Sequence, residues 1–206
     1  MLAGTLDKKI SRQRSHDHAA TTTMTELKHD ALIQRIAARE DTALRELYAA
    51  YGQRMYAYAL RLTNEPALAE DVVQEALVAV WHSAKRYRGE GKLISWLLGI
   101  VHHTALKALR RKPALPISEE LENQLTAHEP LPEERVLTSE QKQLVQNGLN
   151  QLSAEHRAVL ELVFYQEMSL NEAAQVCSCP LGTIKSRLSY ARKQLRGLLS
   201  RSEEIA

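Results

Sequence analysis

From Thr25 to Lys112 apolar residues recur at helical spacing almost without a break. Leu27, Ala31, Leu32 and Ile36 make a first stripe, and Asp41 is placed to cap a second helix carrying Leu44, Leu47, Tyr48, Tyr51, Met55, Tyr58, Ala59 and Leu62. Asn64-Glu65-Pro66 resets the chain, and a third helix runs from Pro66 to about Lys85 with Val72, Val73, Ala76, Leu77, Val80 and Trp81 on its inner side. Arg88-Gly89-Glu90-Gly91 reads as a loop, and a fourth helix spans Leu93–Arg111 before Pro113 halts it. A second helical pattern starts near Leu144, with Ser153 as a cap for Ala154–Gln166. Ser169-Leu170-Asn171-Glu172 has the form of a capping box opening a short helix. Cys177-Ser178-Cys179 interrupts that helix, and Pro180 suits the first turn of the last one. There Ile184, Leu188, Ala191, Leu195 and Leu198 recur at spacings of 4, 3, 4 and 3, so one face packs inward. Two helices about a tight turn predict a helix-turn-helix. No run of alternating β-branched residues competes, and the fold class is all-α.

Composition separates the two patterns into domains. Ala114–Glu140 holds Pro116, Pro130 and Pro132, seven Glu and one cation, Arg135, a mixture too poor in apolar surface to order itself. The chain therefore divides into a disordered tail over 1–24, a helical bundle over 25–113, a flexible acidic linker over 114–140, a helix-turn-helix domain over 141–202 and a short end at 203–206. The opening stretch is polar and basic, without an apolar signal core, and Met24 offers an alternative translation start. No apolar run approaches a membrane span, so a cytoplasmic protein without membrane insertion is expected.

A formal net charge of +2 conceals a segregated pattern. From Ala173 to Ser202 the chain carries Lys185, Arg187, Arg192, Lys193, Arg196 and Arg201 and no Asp or Glu. On the last helix Thr183, Lys185, Ser186, Arg187, Tyr190 and Arg192 lie opposite the apolar stripe, with Lys193 beside them. A basic, polar face closing a helix-turn-helix suits a DNA major groove, where Arg and Lys grip phosphates and Arg reads guanine edges. A solubilising surface helix would explain the charge but not the capped helix and tight turn before it. A second basic stretch, His82–Lys112, sets Lys85, Arg86, Arg88, Lys92, Lys107, Arg110, Arg111 and Lys112 against Glu90 alone, a footprint for phosphates. Tyr87 and Trp96 are interleaved with it and fit either a stack of unpaired bases or the core. On the third helix Asp71, Gln74, Glu75 and Val78 cluster on one side.

Catalysis and metal binding find little support. His102-His103 are adjacent, so their side chains diverge by about 100° on a helix. His16 and His18 lack a third nearby ligand, and Cys177 and Cys179 are too close for an unstrained disulfide. Neither an enzyme nor a cofactor or metal site is expected.

Ala69-Glu70-Asp71-Val72-Val73-Gln74-Glu75-Ala76, then Trp81, Ser95-Trp96-Leu97 and Leu109-Arg110-Arg111, resemble region 2 of the extracytoplasmic-function sigma factors of the sigma-70 family. Gly182-Thr183-Ile184-Lys185-Ser186-Arg187-Leu188, followed by Ala191-Arg192-Lys193, resembles their region 4. The resemblance covers about Asp30–Leu199. It implies a factor that brings core RNA polymerase to promoters, with partners in the largest-subunit coiled coil, the flap, promoter DNA and an anti-sigma factor. By the same resemblance Asp71, Gln74 and Glu75 dock on the polymerase. Lys85, Arg86, Tyr87, Arg88, Lys92, Trp96, His103, Lys107, Arg110 and Arg111 would recognise and melt the −10 element. Thr183, Lys185, Ser186, Arg187, Tyr190, Arg192 and Lys193 would meet the −35 element. Two positions depart from the family pattern: Leu93 stands where an aromatic is common, and His103 where an Asn is, which bears on −10 base preference. A stand-alone helix-turn-helix regulator is the alternative, and it has no use for the Asp71–Glu75 face.

Overall fold

The computed structural model describes residues 29–111 and 148–203, with side chains of the last helix described to residue 197. The tail with Met24, the acidic linker and Pro113 lie outside the described residues, as does the side chain of Leu198. We label the helices α1 (29–37), α2 (Asp41–Thr63), α3 (Pro66–Ser83), α4 (Leu93–Arg111), α5 (Ala154–Leu160), α6 (Leu170–Val176) and α7 (Leu181–Glu203). No strand occurs among the described residues, and the all-α expectation holds.

Helices α2, α3 and α4 pack mutually as a three-helix bundle. Its core holds Leu47, Met55, Tyr58 and Leu62 of α2, Val72, Val73, Ala76 and Val80 of α3, and Leu97, Leu98, Val101 and Ala105 of α4. These are the predicted stripes of α2 and α3, save that Tyr48 stays exposed and Leu44, Leu77 and Trp81 are half-buried. The first stripe is phased differently from the expectation: Ile33 and Ile36 are the buried residues of α1, and Ala31 is exposed. Asp41 is not a cap either. It sits inside the first turn of α2 as a charge favourable to the helix dipole, and Glu40 occupies the cap position. Helix α2 ends on Asn64 at φ 58°, whose backbone N–H returns to Leu60 O, the left-handed stop that Asn tolerates.

The C-terminal helices differ from expectation in one respect. The predicted Ala154–Gln166 helix is α-helical only to Leu160 and continues as a wider turn over Glu161–Tyr165, with Gln166 N–H donating to Glu161 O five residues back. Ser153 is the N-cap residue, but its hydroxyl pairs with His156 Nδ1 at 2.8 Å rather than with the backbone. The wider turn directs Glu161 and Leu162 inward and leaves Phe164 and Tyr165 exposed. Helix α5 packs on α7, and α6 on α7, around Ala158, Val159, Ala173, Val176, Ile184, Leu188 and Ala191.

The two halves are not separate bodies on a string. Helix α4 packs against α6 and α2 against α5, and the buried side chains form one continuous core. Linker composition carries no information about such docking. None of the described helices is long and apolar enough to cross a membrane.

Candidate nucleic-acid interface

The helix-turn-helix is built from a capped α6, a tight turn and α7. Glu172 N–H donates to Ser169 Oγ at 3.2 Å, and Ser169 N–H donates to Glu172 Oε2 at 2.8 Å, closing the capping box. The turn closes with Cys177 N–H to Ala173 O and Cys179 N–H to Ala174 O, and Ser178 takes φ 48°. Cys177 is buried, which pushes its thiol up to about 12 and leaves it a packing residue. Pro180 sits just ahead of α7, where its carbonyl accepts from Thr183 N–H.

On α7 the inward stripe of Ile184, Leu188 and Ala191 is buried, Leu195 is half-buried, and Lys185, Ser186, Tyr190, Arg192 and Lys193 are exposed. Thr183 and Arg187 are half-buried at the edge of the same face. Several of these side chains have partners inside the fold: the Tyr190 ring lies 4.6 Å from that of His156, and the Arg192 guanidinium stands 5.0 Å over Phe164. Ser186 Oγ donates back to Thr183 O at 2.9 Å. His156 is held below its usual range by burial first and by the charge of Arg187 second.

Asp71, Gln74, Glu75 and Val78 emerge together from α3, opposite its buried Val72, Val73, Ala76 and Val80. Val78 is 56% exposed, an uncovered apolar side chain amid polar ones. Lys107 of α4 reaches across to Glu75 at 2.8 Å and is the first cause of that carboxyl's lowered pKa.

The basic stretch after α3 opens with a 3-10 turn, Ala84–Arg86, exposing Lys85 and Arg86. Gly89 and Gly91 take φ 70° and 87°, a left-handed backbone that glycine adopts without a Cβ penalty. They carry Arg88 and Lys92 into solvent. Trp96 is half-buried against the core, with the Tyr87 ring 5.0 Å away, so one pair serves packing and still shows an edge. Trp96, His103, Lys107 and Arg110 recur at spacings of 7, 4 and 3 along one face of α4, and Arg111 borders it. His102 points the other way: it is buried, with Nδ1 2.9 Å from Tyr58 Oη, and burial lowers its pKa to about 4.

Sequence reasoning missed how the helix-turn-helix meets this face. Lys92 Nζ lies 3.0 Å from Glu172 Oε1, and His103 Nε2 lies 3.0 Å from Ser178 Oγ. Between them a Cβ on Gly99 would stand 3.7 Å from Val176 O, so the α6 backbone rests over a glycine. On the α2 side Arg157 donates to Leu62 O at 2.7 Å and Arg54 to Gln166 at 3.0 Å. Glu161 lies 3.6 Å from Arg61, whose guanidinium also stands 5.2 Å over Tyr165. Periodicity reports which residues are buried, not against what. The one sequence signal was Gly99, since a glycine inside a helical pattern marks a close approach. Among the described residues no group of three His, Cys, Asp or Glu is placed to hold a metal.

Comparison with known proteins matches both halves. Residues 47–113 match the Sigma-70 region 2 family and residues 148–197 the Sigma-70, region 4 family. The chain is 32% identical over 167 residues to the ECF RNA polymerase sigma factor SigL of Mycobacterium tuberculosis H37Rv, covering 81% of this chain and 94% of that one. It is 27% identical over 165 residues to the RNA polymerase sigma factor YlaC of Bacillus subtilis 168, covering 79% and 95%. The sigma factor RpoE of Bartonella quintana, solved in complex with the anti-sigma factor NepR, is similar with a TM-score of 0.60 and 26% identity, over 76% of this chain and 96% of that chain. CnrH, solved with the cytosolic domain of CnrY, shares the fold with a TM-score of 0.60 and 22% identity, over 84% and 97%. A region 2 match has no place in a stand-alone helix-turn-helix regulator. With both halves present in order on an all-α frame, the chain belongs to the extracytoplasmic-function RNA polymerase sigma factors of the sigma-70 family.

Proposed function

We propose that the three surfaces divide the work of promoter opening. Asp71, Gln74 and Glu75, exposed together on α3 beside Val78 and opposite the buried Val72, Val73, Ala76 and Val80, form the docking face for the coiled coil of the polymerase largest subunit. This shared exposure is the observation that carries the reading. Lys85, Arg86, Tyr87, Arg88 and Lys92 surround the strand-separated −10 element, and Trp96, His103, Lys107, Arg110 and Arg111 continue that surface along α4. An extruded base costs a few kcal/mol in lost stacking, which an aromatic edge and phosphate contacts offset. Thr183, Lys185, Ser186, Arg187, Tyr190, Arg192 and Lys193 meet the −35 element in duplex form, while the flap holds this half on the polymerase. The functional units on this reading are 25–113 and 141–202, with 114–140 as the connection between them.

The factor acts by binding and does no covalent chemistry itself, in the cytoplasm where polymerase and DNA are. Solved relatives bound to anti-sigma factors support a partner of that kind for this chain. The test is capture of core RNA polymerase by the wild type and by an Asp71→Ala/Gln74→Ala/Glu75→Ala variant. The wild type is expected to retain polymerase and the variant to lose at least ten-fold in affinity. Equal capture by both would move the docking face elsewhere.

A further inference from the structure

Ser153 stands at the N-cap of α5, yet its hydroxyl lies 2.8 Å from His156 Nδ1 and caps no backbone N–H of the helix. That bond fixes the plane of the half-buried imidazole, whose ring lies 4.6 Å from that of Tyr190 at 36°. Further along, Phe164 is the one phenylalanine of the chain and is 50% exposed, so the core does not explain it. Its ring lies under the Arg192 guanidinium at 5.0 Å. Tyr190 and Arg192 leave α7 about 100° to either side of the buried Ala191, and so flank the side of α7 that packs inward. Both are exposed, and both belong to the proposed −35 surface.

We propose that α5 and its wider turn preset the −35 face: His156 and Phe164 are positioning residues that hold Tyr190 and Arg192 in the orientation that meets the duplex. The inference rests on the −35 role proposed for those two side chains. A tyrosine or arginine free at a helix surface samples several rotamers, and ordering it on DNA costs entropy at the moment of binding. A ring already set against it removes part of that cost. Neither contact uses up the polar end. Ring-to-ring packing leaves the Tyr190 hydroxyl as donor and acceptor, and a guanidinium over a ring keeps N–H donors for a phosphate or a guanine edge. Ser153 completes the first brace, serving the His156 ring in place of the backbone. The second brace depends on the wider turn, which leaves Phe164 at the surface beside α7.

The test uses the full-length chain reconstituted with core RNA polymerase. Selection from a pool of randomised duplexes identifies the sequence the wild type prefers, and fluorescence anisotropy reads the affinity of each variant for it. His156→Ala and Phe164→Ala are each expected to weaken binding about five-fold, the scale of one ring contact. His156→Phe and Phe164→Tyr keep a ring in place and are expected to restore wild-type affinity. In a Tyr190→Ala background His156→Ala should cost nothing more, and in an Arg192→Ala background neither should Phe164→Ala, because a brace acts only through the side chain it holds. A further loss in those backgrounds, or no rescue by the ring variants, would overturn the positioning role. Wild-type binding by His156→Ala and Phe164→Ala, with Tyr190→Ala and Arg192→Ala impaired, would overturn the braces and leave the −35 reading standing. Full binding by Tyr190→Ala and Arg192→Ala would remove those residues from the −35 surface, and the braces with them. Should His156→Ala lose its helical circular dichroism, the Phe164 variants decide by the same criteria, since a side chain half in solvent tolerates truncation.

Discussion

Tyr58 and His102 meet in the dry centre of the bundle, where a charged imidazole would be solvated by nothing but a hydroxyl. Burial therefore lowers the folded-state pKa of His102 to about 4 from 6.5, with the positive charges of His103 and Arg187 as lesser causes. The unfolded chain takes up this proton below pH 6.5 and the folded chain does not until about 4, so stability is present above that window and is lost as pH falls through it. Between pH 7 and 5 the loss from this residue comes to about 2 kcal/mol. A His102→Gln variant keeps an acceptor for the tyrosine and should show a flatter stability over that range in urea titrations. An identical slope in both proteins would assign the acid sensitivity elsewhere. Glu161 works in the opposite direction. Burial raises its pKa, so its contribution is present at acid pH and lost as pH rises through the folded value, with Arg61 limiting the cost.

At the scale of elements, the sequence disclosed most where local chemistry decides the outcome. The capping box at Ser169–Glu172 is local in this sense, and both its hydrogen bonds are present. Ser169→Ala should cost about 1 kcal/mol of stability by thermal unfolding, since it orphans one N–H of a two-turn helix. No shift in melting temperature would mean that α6 is held by its neighbours alone. The limits of α4 and the inward stripes of α3 and α7 were equally legible, because a 3.6-residue period states which side of a helix is dry. The phase of α1 was not, for Ala31, Leu32, Ile33 and Ile36 permit more than one face and only packing chooses between them. Nor was the end of α5, where an apolar run broken only by Glu161 hid a change of helix type. As for the candidate site, exposure of Asp71, Gln74 and Glu75 followed from spacing, whereas the partners of Glu75, Lys92 and His103 come from helices distant in the chain and leave no trace in period or charge.

At the scale of the molecule, a core shared by both halves has a thermodynamic signature. Scanning calorimetry of the full chain should give one cooperative transition, and Gly99→Gln should divide it into two as each half unfolds alone. Two transitions in the wild type would mean that docking adds little to either half. Register along α5 sets how the halves meet, and the wider turn at Glu161–Tyr165 has a bearing on that register. Such a turn accommodates one residue more than an α-helix would, so what it contributes is a length. Lengthening α5 by one residue that no such turn absorbs would rotate everything beyond it by about 100° about the axis of α5. Every hydrogen bond within the helix-turn-helix would survive, yet Gln166 would swing away from Arg54 and α6 away from Gly99. In this fold an indel of one residue is a change of orientation before it is a change of stability.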